Sequence, residues 1–115
     1  MTIEEIISDY ILNDGQIISA DVEFGERPSV IITLKARKRS SSKKIEDKIL
    51  ELRLKGLTYL DIVDDFSSID YSDITLTVQE NGEYYLSLDP YGNTNVPNAQ
   101  DNFVFKCKTL EICEQ

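Results

Sequence analysis

Five aspartates fall within thirteen residues of this chain, and carboxylates at such density are suited to binding positive charge. One interpretation is an anionic patch for a basic protein partner. A second is a calcium site, because hard cations take several carboxylate oxygens, although the spacing does not match an EF-hand loop. A third is a solvated loop whose aspartates cap turns. The five are Asp61, Asp64, Asp65, Asp70 and Asp73.

These aspartates belong to the acidic segment, defined as residues 56–105, which holds nine acids and no Lys or Arg. The net charge of −9 resides there, since acids and bases balance in residues 1–55 and again in 106–115. Such segregation bears on association and not on fold. It argues against nucleic acid and against anionic lipid as partners, because both require a positive surface.

No residue pattern predicts catalysis. The chain has no histidine and its five glycines are scattered, so neither a histidine-activated nucleophile nor a glycine-rich phosphate loop is expected. Cys107 and Cys113 are predicted to be reduced thiols, because one extended strand would hold them beyond disulfide reach. The acidic N-terminus lacks signal-peptide features, and no apolar run is long enough to span a membrane. We expect a cytoplasmic, non-enzymatic protein without a cofactor.

The first half of the chain predicts one helix followed by long strands. The helix begins at a capping box of Thr2 and Glu5 and ends at Asp14 and Gly15. Alternation of apolar residues then predicts a hairpin of strands 16–24 and 29–39. Residues 44–49 fit a helix or a strand, and the strand is favoured because the alternation after Ile49 is clean. Gly56 predicts a bend or bulge, followed by a strand over 57–63 and a loop over 64–72.

The second half predicts a hairpin of strands 73–80 and 83–89 joined by a type I′ turn at Asn81 and Gly82. A polar loop over 90–101 and a strand over 102–112 complete the chain. One domain is expected, of class α+β. Its N-terminal helix packs on a curved, mostly antiparallel sheet or open barrel of six to seven strands.

Three further features bear on binding. Tyr71, flanked by Asp70 and Asp73, is predicted to be an exposed aromatic anchor ringed by charge. Tyr91 could contact a ligand, but Pro90 and Gly92 favour the other interpretation of its loop, a structural turn. A basic run at the tip of the second strand reads as a solvated strand end, or as a surface that docks on the acidic half of another copy. The run comprises Lys35, Arg37, Lys38, Arg39, Lys43 and Lys44.

The order of elements and three stretches give the chain a family likeness. The stretches are LRLKGLTYL at 52–60, YYLSLDPY at 84–91 and DNFVFK at 101–106. With this order of elements, the chain resembles small bacterial immunity-type proteins that accompany polymorphic or contact-dependent toxins. The resemblance implies a cytosolic inhibitor that binds a cognate toxin domain, often a basic nuclease, and blocks its active site. It carries no functional residue over to this chain.

Charge segregation and this resemblance lead to one hypothesis, a protein that neutralises a toxin domain by occlusion and charge complementarity. The alternatives are a self-associating structural module, which would form homo-oligomers, and a calcium-dependent binding protein. No catalytic residues or metal ligands are assigned. The predicted partner-binding residues are Asp64, Asp65, Asp70, Tyr71, Asp73, Glu80, Glu83 and Tyr91.

Overall fold

One short helix precedes a single antiparallel sheet. The computed structural model describes residues 1–39, 44–61, 69–71, 73–92 and 95–115, and for residues 69 and 70 only the backbone. In chain order the elements are α1 Ile3–Asp9, β1 Tyr10–Glu23, β2 Ser29–Arg39, β3 Ile45–Asp61, β4 Ile69–Tyr71, β5 Thr75–Val78, β6 Tyr84–Asp89 and β7 Asn102–Glu114.

The sheet is curved into a half-barrel with the strand order β4-β1-β2-β3-β7-β6-β5. Its two edge strands, β4 and β5, are only three residues apart in the chain. The end of β4 and the start of β5 must therefore lie within about 14 Å of each other. The helix packs on this sheet through Ile6, which is fully buried. The predicted α+β architecture is confirmed.

The helix begins as predicted but is shorter. Thr2 Oγ1 accepts a hydrogen bond from Glu5 N at 3.1 Å, which is the predicted cap. The predicted end at Asp14 is wrong, because the helix ends at Asp9 and Tyr10 is extended, paired with Lys38 of β2. Short helices are marginal by themselves, so pairing with a long neighbouring strand outweighs the helical spacing of the isoleucines.

The strand assigned to residues 44–55 is confirmed. β3 pairs with β2 from Arg39 opposite Ile45 to Ser29 opposite Lys55 without a register shift. Gly56 has φ +68°, and the pairing with β7 shifts register just after it, as the predicted bulge requires. The chain does not break there, so the two predicted strands on either side of Gly56 form one long strand.

The hairpin of β5 and β6 is confirmed, but its turn is not type I′. Gly82 has φ +85°, whereas Asn81 does not have the positive φ that a type I′ turn requires. Gly82 N donates to Gln79 O at 2.9 Å, and Gln79 N donates to Glu83 O at 2.8 Å. These bonds define a three-residue loop, in which Gly82 takes the left-handed position after a tight turn.

Two buried layers lie on opposite faces of the sheet. The main core fills the concave face with apolar side chains from β1, β2, β3, β6 and β7, including Ile32, Leu52 and Phe105. A second, smaller layer on the outer face buries Tyr85 and Val104, which are not part of that core. Described residues of the polar loop lie against this part of the sheet, since Asp101 accepts a hydrogen bond from Tyr85 and Asn95 accepts one from Leu76 N of β5. The loop therefore shapes the outer face of the β5–β6–β7 half of the sheet.

Candidate partner-binding surface

The ion pairs among the described residues involve no acid of the acidic segment. Six ion pairs form among the described residues, with N–O distances of 3.1–3.9 Å. Every acid in them lies outside residues 56–105; they are Glu46, Asp47, Glu51, Glu111 and Glu114. The lysines and arginines in these pairs therefore neutralise acids outside the acidic segment, some of them distant in sequence such as Glu114 with Lys38, and leave the described acids of the acidic segment without an ion pair.

Four of those acids gather where several strands of the sheet end, a region that we call the acidic end. β3 finishes at Asp61, opposite Val104, and β6 finishes at Asp89, opposite Asn102. Asp101 precedes β7 at the same level, and Asp73 stands two residues before β5. With strands about 4.8 Å apart, this register places Asp61 and Asp89 roughly 12 Å from each other. The linear segregation of charge thus survives as spatial segregation in this region.

Asp101 is structural as well as acidic. Its side chain, only 7% exposed, accepts hydrogen bonds from Tyr85 Oη at 2.7 Å, Tyr91 N at 2.8 Å and Asn98 N at 2.9 Å. Burial acts to raise the pKa of the Asp101 carboxyl, but these three donors outweigh burial and hold the pKa below its usual value. The same hydrogen bond and burial raise the pKa of Tyr85 well above its usual value, burial being the larger cause. The carboxylate therefore ties the loop over 90–101 to the outer face of the sheet.

A second contact of this loop protects the edge of the sheet. The side chain of Asn95, whose φ is +57°, receives a hydrogen bond from Leu76 N at 2.7 Å and donates one to Leu76 O at 3.1 Å. An amide side chain thus takes the place of a neighbouring strand along β5 and blocks edge-to-edge association there. The loop was predicted to be either a ligand-binding loop or a structural turn, and these contacts fit the structural turn. Tyr91 still projects from it, 68% exposed.

A polar cleft of about 340 Å³ opens beside the acidic end. Lys106 Nζ lies there between two rings, 5.1 Å from the centroid of Tyr59 and 6.0 Å from that of Tyr85. Tyr59 is 47% exposed and shares the outer face of β3 with Asp61, which also lines the cleft. Such amphipathic rings are the side chains that most often anchor protein interfaces. This cluster was not predicted from the sequence, although Tyr59 and Asp61 lie two apart in the strand predicted over residues 57–63.

Tyr71 is not the exposed anchor that the sequence predicted. It lies in β4, opposite Gly15 of β1, and is only 5% exposed. Burial raises its pKa to about 12, helped by the nearby Asp73 carboxylate, and its hydroxyl has no hydrogen-bond partner. The prediction was wrong because residues 64–72 were expected to form a loop, whereas Ile69–Tyr71 pairs with β1 as an added edge strand.

The other predicted residues divide between two places. Asp73 belongs to the acidic end, while Glu80 and Glu83 lie at the turn end of the β5–β6 hairpin, about 17 Å away along β6. Glu83 accepts hydrogen bonds from Thr58 Oγ1 and from Asn81 Nδ2. Asp64 and Asp65 lie outside the described residues, and Asp70 is described only as part of the backbone of β4.

The cations of the basic run are largely engaged within the chain. Lys35 and Lys38 form ion pairs with Asp47 and Glu114. Arg37 donates to Asn13 O, and Arg39 donates to the carbonyl oxygens of Ser8 and Tyr10. Residues 40–43, which include Lys43, lie outside the described part of the chain.

Comparison with known protein families, with curated proteins and with solved structures finds no match to this chain. In the described ranges, no group of three or more His, Cys, Asp or Glu side chains is placed to hold a metal ion. Of the five aspartates on which the calcium alternative rests, Asp64, Asp65 and Asp70 have side chains outside those ranges, so this alternative stays a prediction. No helix among the described residues is long and apolar enough to cross a membrane.

Proposed function

We propose that this protein is a non-enzymatic binding protein of the immunity type. It neutralises a cognate toxin domain with a basic surface, such as a nuclease, by covering that surface in the cytoplasm. The observation that carries the proposal is that all six ion pairs of the described residues use acids outside the acidic segment. Carboxylates left uncompensated by the chain's own cations favour association with a positively charged partner.

The acidic end and the neighbouring tyrosines would act at different stages of binding. Asp61, Asp73 and Asp89 steer a basic domain during encounter, because their field extends about 8–10 Å at physiological salt. Tyr59 and Tyr91, both exposed, then supply the aromatic contact area that slows dissociation. A standard interface takes about 800 Å² from each partner, roughly a ninth of the 6906 Å² surface of this chain.

The test uses a variant that removes three charges from the acidic end. In this variant Asp61→Asn, Asp73→Asn and Asp89→Asn are combined. Its partner is the C-terminal domain of a secreted toxin encoded beside the gene for this chain, and association is followed by surface plasmon resonance across a salt series. At low salt the variant should associate about tenfold more slowly than the unaltered chain, and its rate should depend less on salt.

A matched control separates the position of the charges from their number. Glu4→Gln, Asp21→Asn and Glu23→Gln remove the same three charges from exposed positions outside the acidic segment. This control should associate nearly as fast as the unaltered chain. Equal slowing of both variants would mean that only net charge matters and would refute the acidic end as the contact surface. Failure of the unaltered chain to restore growth of cells that express the toxin domain would refute the immunity function itself.

A further inference from the structure

Two cations in the described part of this acidic protein have no charged, hydrogen-bonding or aromatic partner. Nine of the eleven Lys and Arg side chains in the described residues have a charged, hydrogen-bonding or aromatic partner. The remaining two are Arg27 and Lys108, both exposed. In a chain of net charge −9, described cations that form no ion pair, hydrogen bond or ring contact are the exception. Their position in the fold therefore bears on function.

Arg27 and Lys108 line the same cleft, although eighty-one positions separate them in the sequence. The cleft has a volume of about 620 Å³ and lies between the β1–β2 turn, β3 and β7. Leu57 N donates to Pro28 O at 2.9 Å, which fixes the turn against β3 at the base of the cleft. A volume of this size falls within the range of small-molecule sites, about 300–1,000 Å³.

The charged groups around this cleft are predominantly positive. Lys55 is the third cation of the lining, and it also pairs with Glu111 at 3.6 Å. The only acid among the lining residues is Glu26, which is exposed next to Arg27. Three cations held around one cleft repel each other. Binding of an anion among them therefore lowers the electrostatic free energy relative to that of the empty cleft.

The uncharged part of the lining combines apolar surface with hydroxyl groups. Pro28 and Leu57 contribute the apolar side chains, while Ser29 and Thr109 contribute hydroxyl groups that can donate hydrogen bonds. Gly56, with its positive φ, lies against Lys108, because a Cβ added to it would come within 3.3 Å of Lys108 Cβ. The bulge of β3 therefore shapes the wall from which Lys108 projects.

We infer that this cleft binds a small organic anion. A phosphate or carboxylate group meets Arg27, Lys55 and Lys108, and an apolar part of the same molecule rests on Pro28 and Leu57. This site is separate from the acidic end and goes beyond the proposed function, because it recognises the opposite charge. Arginine suits the planar recognition of such groups, and lysine adds a mobile point charge.

The experiment is an NMR titration of the ¹⁵N-labelled full chain with phenyl phosphate at constant ionic strength. We expect saturable shifts of the backbone amides that border the cleft, in particular those of Arg27, Gly56 and Thr109. The variant Arg27→Gln with Lys108→Gln should bind phenyl phosphate at least about tenfold more weakly, because it removes two charge-assisted contacts. Folding should be unaffected, since both side chains are exposed and unpartnered.

Two controls make the outcome decisive. Lys44→Gln with Lys48→Gln removes the same charge from the other end of β3 and should leave binding unchanged. Benzyl alcohol, which keeps the ring and lacks the anion, should bind far more weakly than phenyl phosphate. Chemical shifts that never saturate would overturn the site. So would equal weakening of phenyl phosphate binding in the Arg27/Lys108 variant and in the Lys44/Lys48 control. Binding of inorganic phosphate as tight as that of phenyl phosphate would overturn the role given to the apolar side chains of Pro28 and Leu57.

Discussion

Asp101→Ala is expected to lower the melting temperature of this protein by about 8–16 °C. The carboxylate accepts three hydrogen bonds, from Tyr85 Oη and from the backbone amides of Tyr91 and Asn98. Hydrogen bonds to a charged group contribute about 1.5–3 kcal/mol each when the donor stays buried. Tyr85 remains buried after the substitution, whereas water can reach the two amides in the exposed loop.

The expected loss of unfolding free energy is therefore about 2–4 kcal/mol. It consists of the whole contribution of the hydrogen bond from Tyr85 and part of the contributions of the two backbone amides. For 115 residues the entropy of unfolding is about 0.24 kcal/mol per kelvin, so each kcal/mol corresponds to roughly 4 °C. Thermal unfolding followed by circular dichroism measures this shift directly. The control is Asp89→Ala, which removes an exposed carboxylate whose hydrogen bond from Asn102 Nδ2 is long, at 3.4 Å. It should change the melting temperature by no more than about 2 °C.

The pH dependence provides an independent check on the same carboxylate. The pKa of Asp101 is lower in the folded protein than in the unfolded chain, so its stabilising contribution is complete above the unfolded pKa of about 4. It is lost as the pH falls through the lower folded value. The difference in stability between the unaltered chain and Asp101→Asn should shrink below about pH 4. A shift for Asp101→Ala as small as that for Asp89→Ala would refute the view that this carboxylate holds the loop.

Three further substitutions or measurements test the interior of the sheet. Tyr71→Phe should leave the free energy of unfolding in urea unchanged or slightly higher, because the hydroxyl is buried without a partner; a loss above about 1 kcal/mol would contradict this. Gly15→Ala should destabilise the protein by about 1–3 kcal/mol, because a Cβ there would come within 2.6 Å of a backbone carbonyl oxygen. Gly25→Ala is the control for this steric effect, because a Cβ at that position would have no neighbour within 4 Å. Burial raises the pKa of the Cys107 thiol to about 12, so an aromatic disulfide reagent at pH 8 should label the half-buried Cys113 first; equal rates would refute the burial of Cys107.

Local pattern predicted most of the strands of this fold correctly. Alternation along residues 29–39 and 44–55 identified the two central strands, because each buries one face and leaves the other exposed to solvent. Where it failed, a distant part of the chain decided the outcome. The helix ended early because Tyr10 pairs with β2, and Ile69–Tyr71 became a strand because β1 offered it an unpaired edge. Neither partner can be read from the segment itself.

The candidate site was predictable only in its charge. The sequence identified the acidic segment, but it chose Tyr71 as the aromatic anchor because that tyrosine lies between two aspartates. The side chain of Tyr59, twelve residues earlier in strand β3, is the exposed one, and it contacts Lys106 on the neighbouring strand β7. Contacts between strands depend on register and curvature, which sequence proximity does not encode.

The sequence by itself determined the alternation that makes long antiparallel strands, the single helix cap, and the confinement of net negative charge to residues 56–105. These are properties of neighbouring residues, and they hold however the chain folds. Tertiary structure alone decided which acids meet at the acidic end, that Tyr71 is buried, and that Arg27 and Lys108 line one cleft. Such groupings arise from strand pairing between distant segments, where the free energy of burying a shared core selects one register among many.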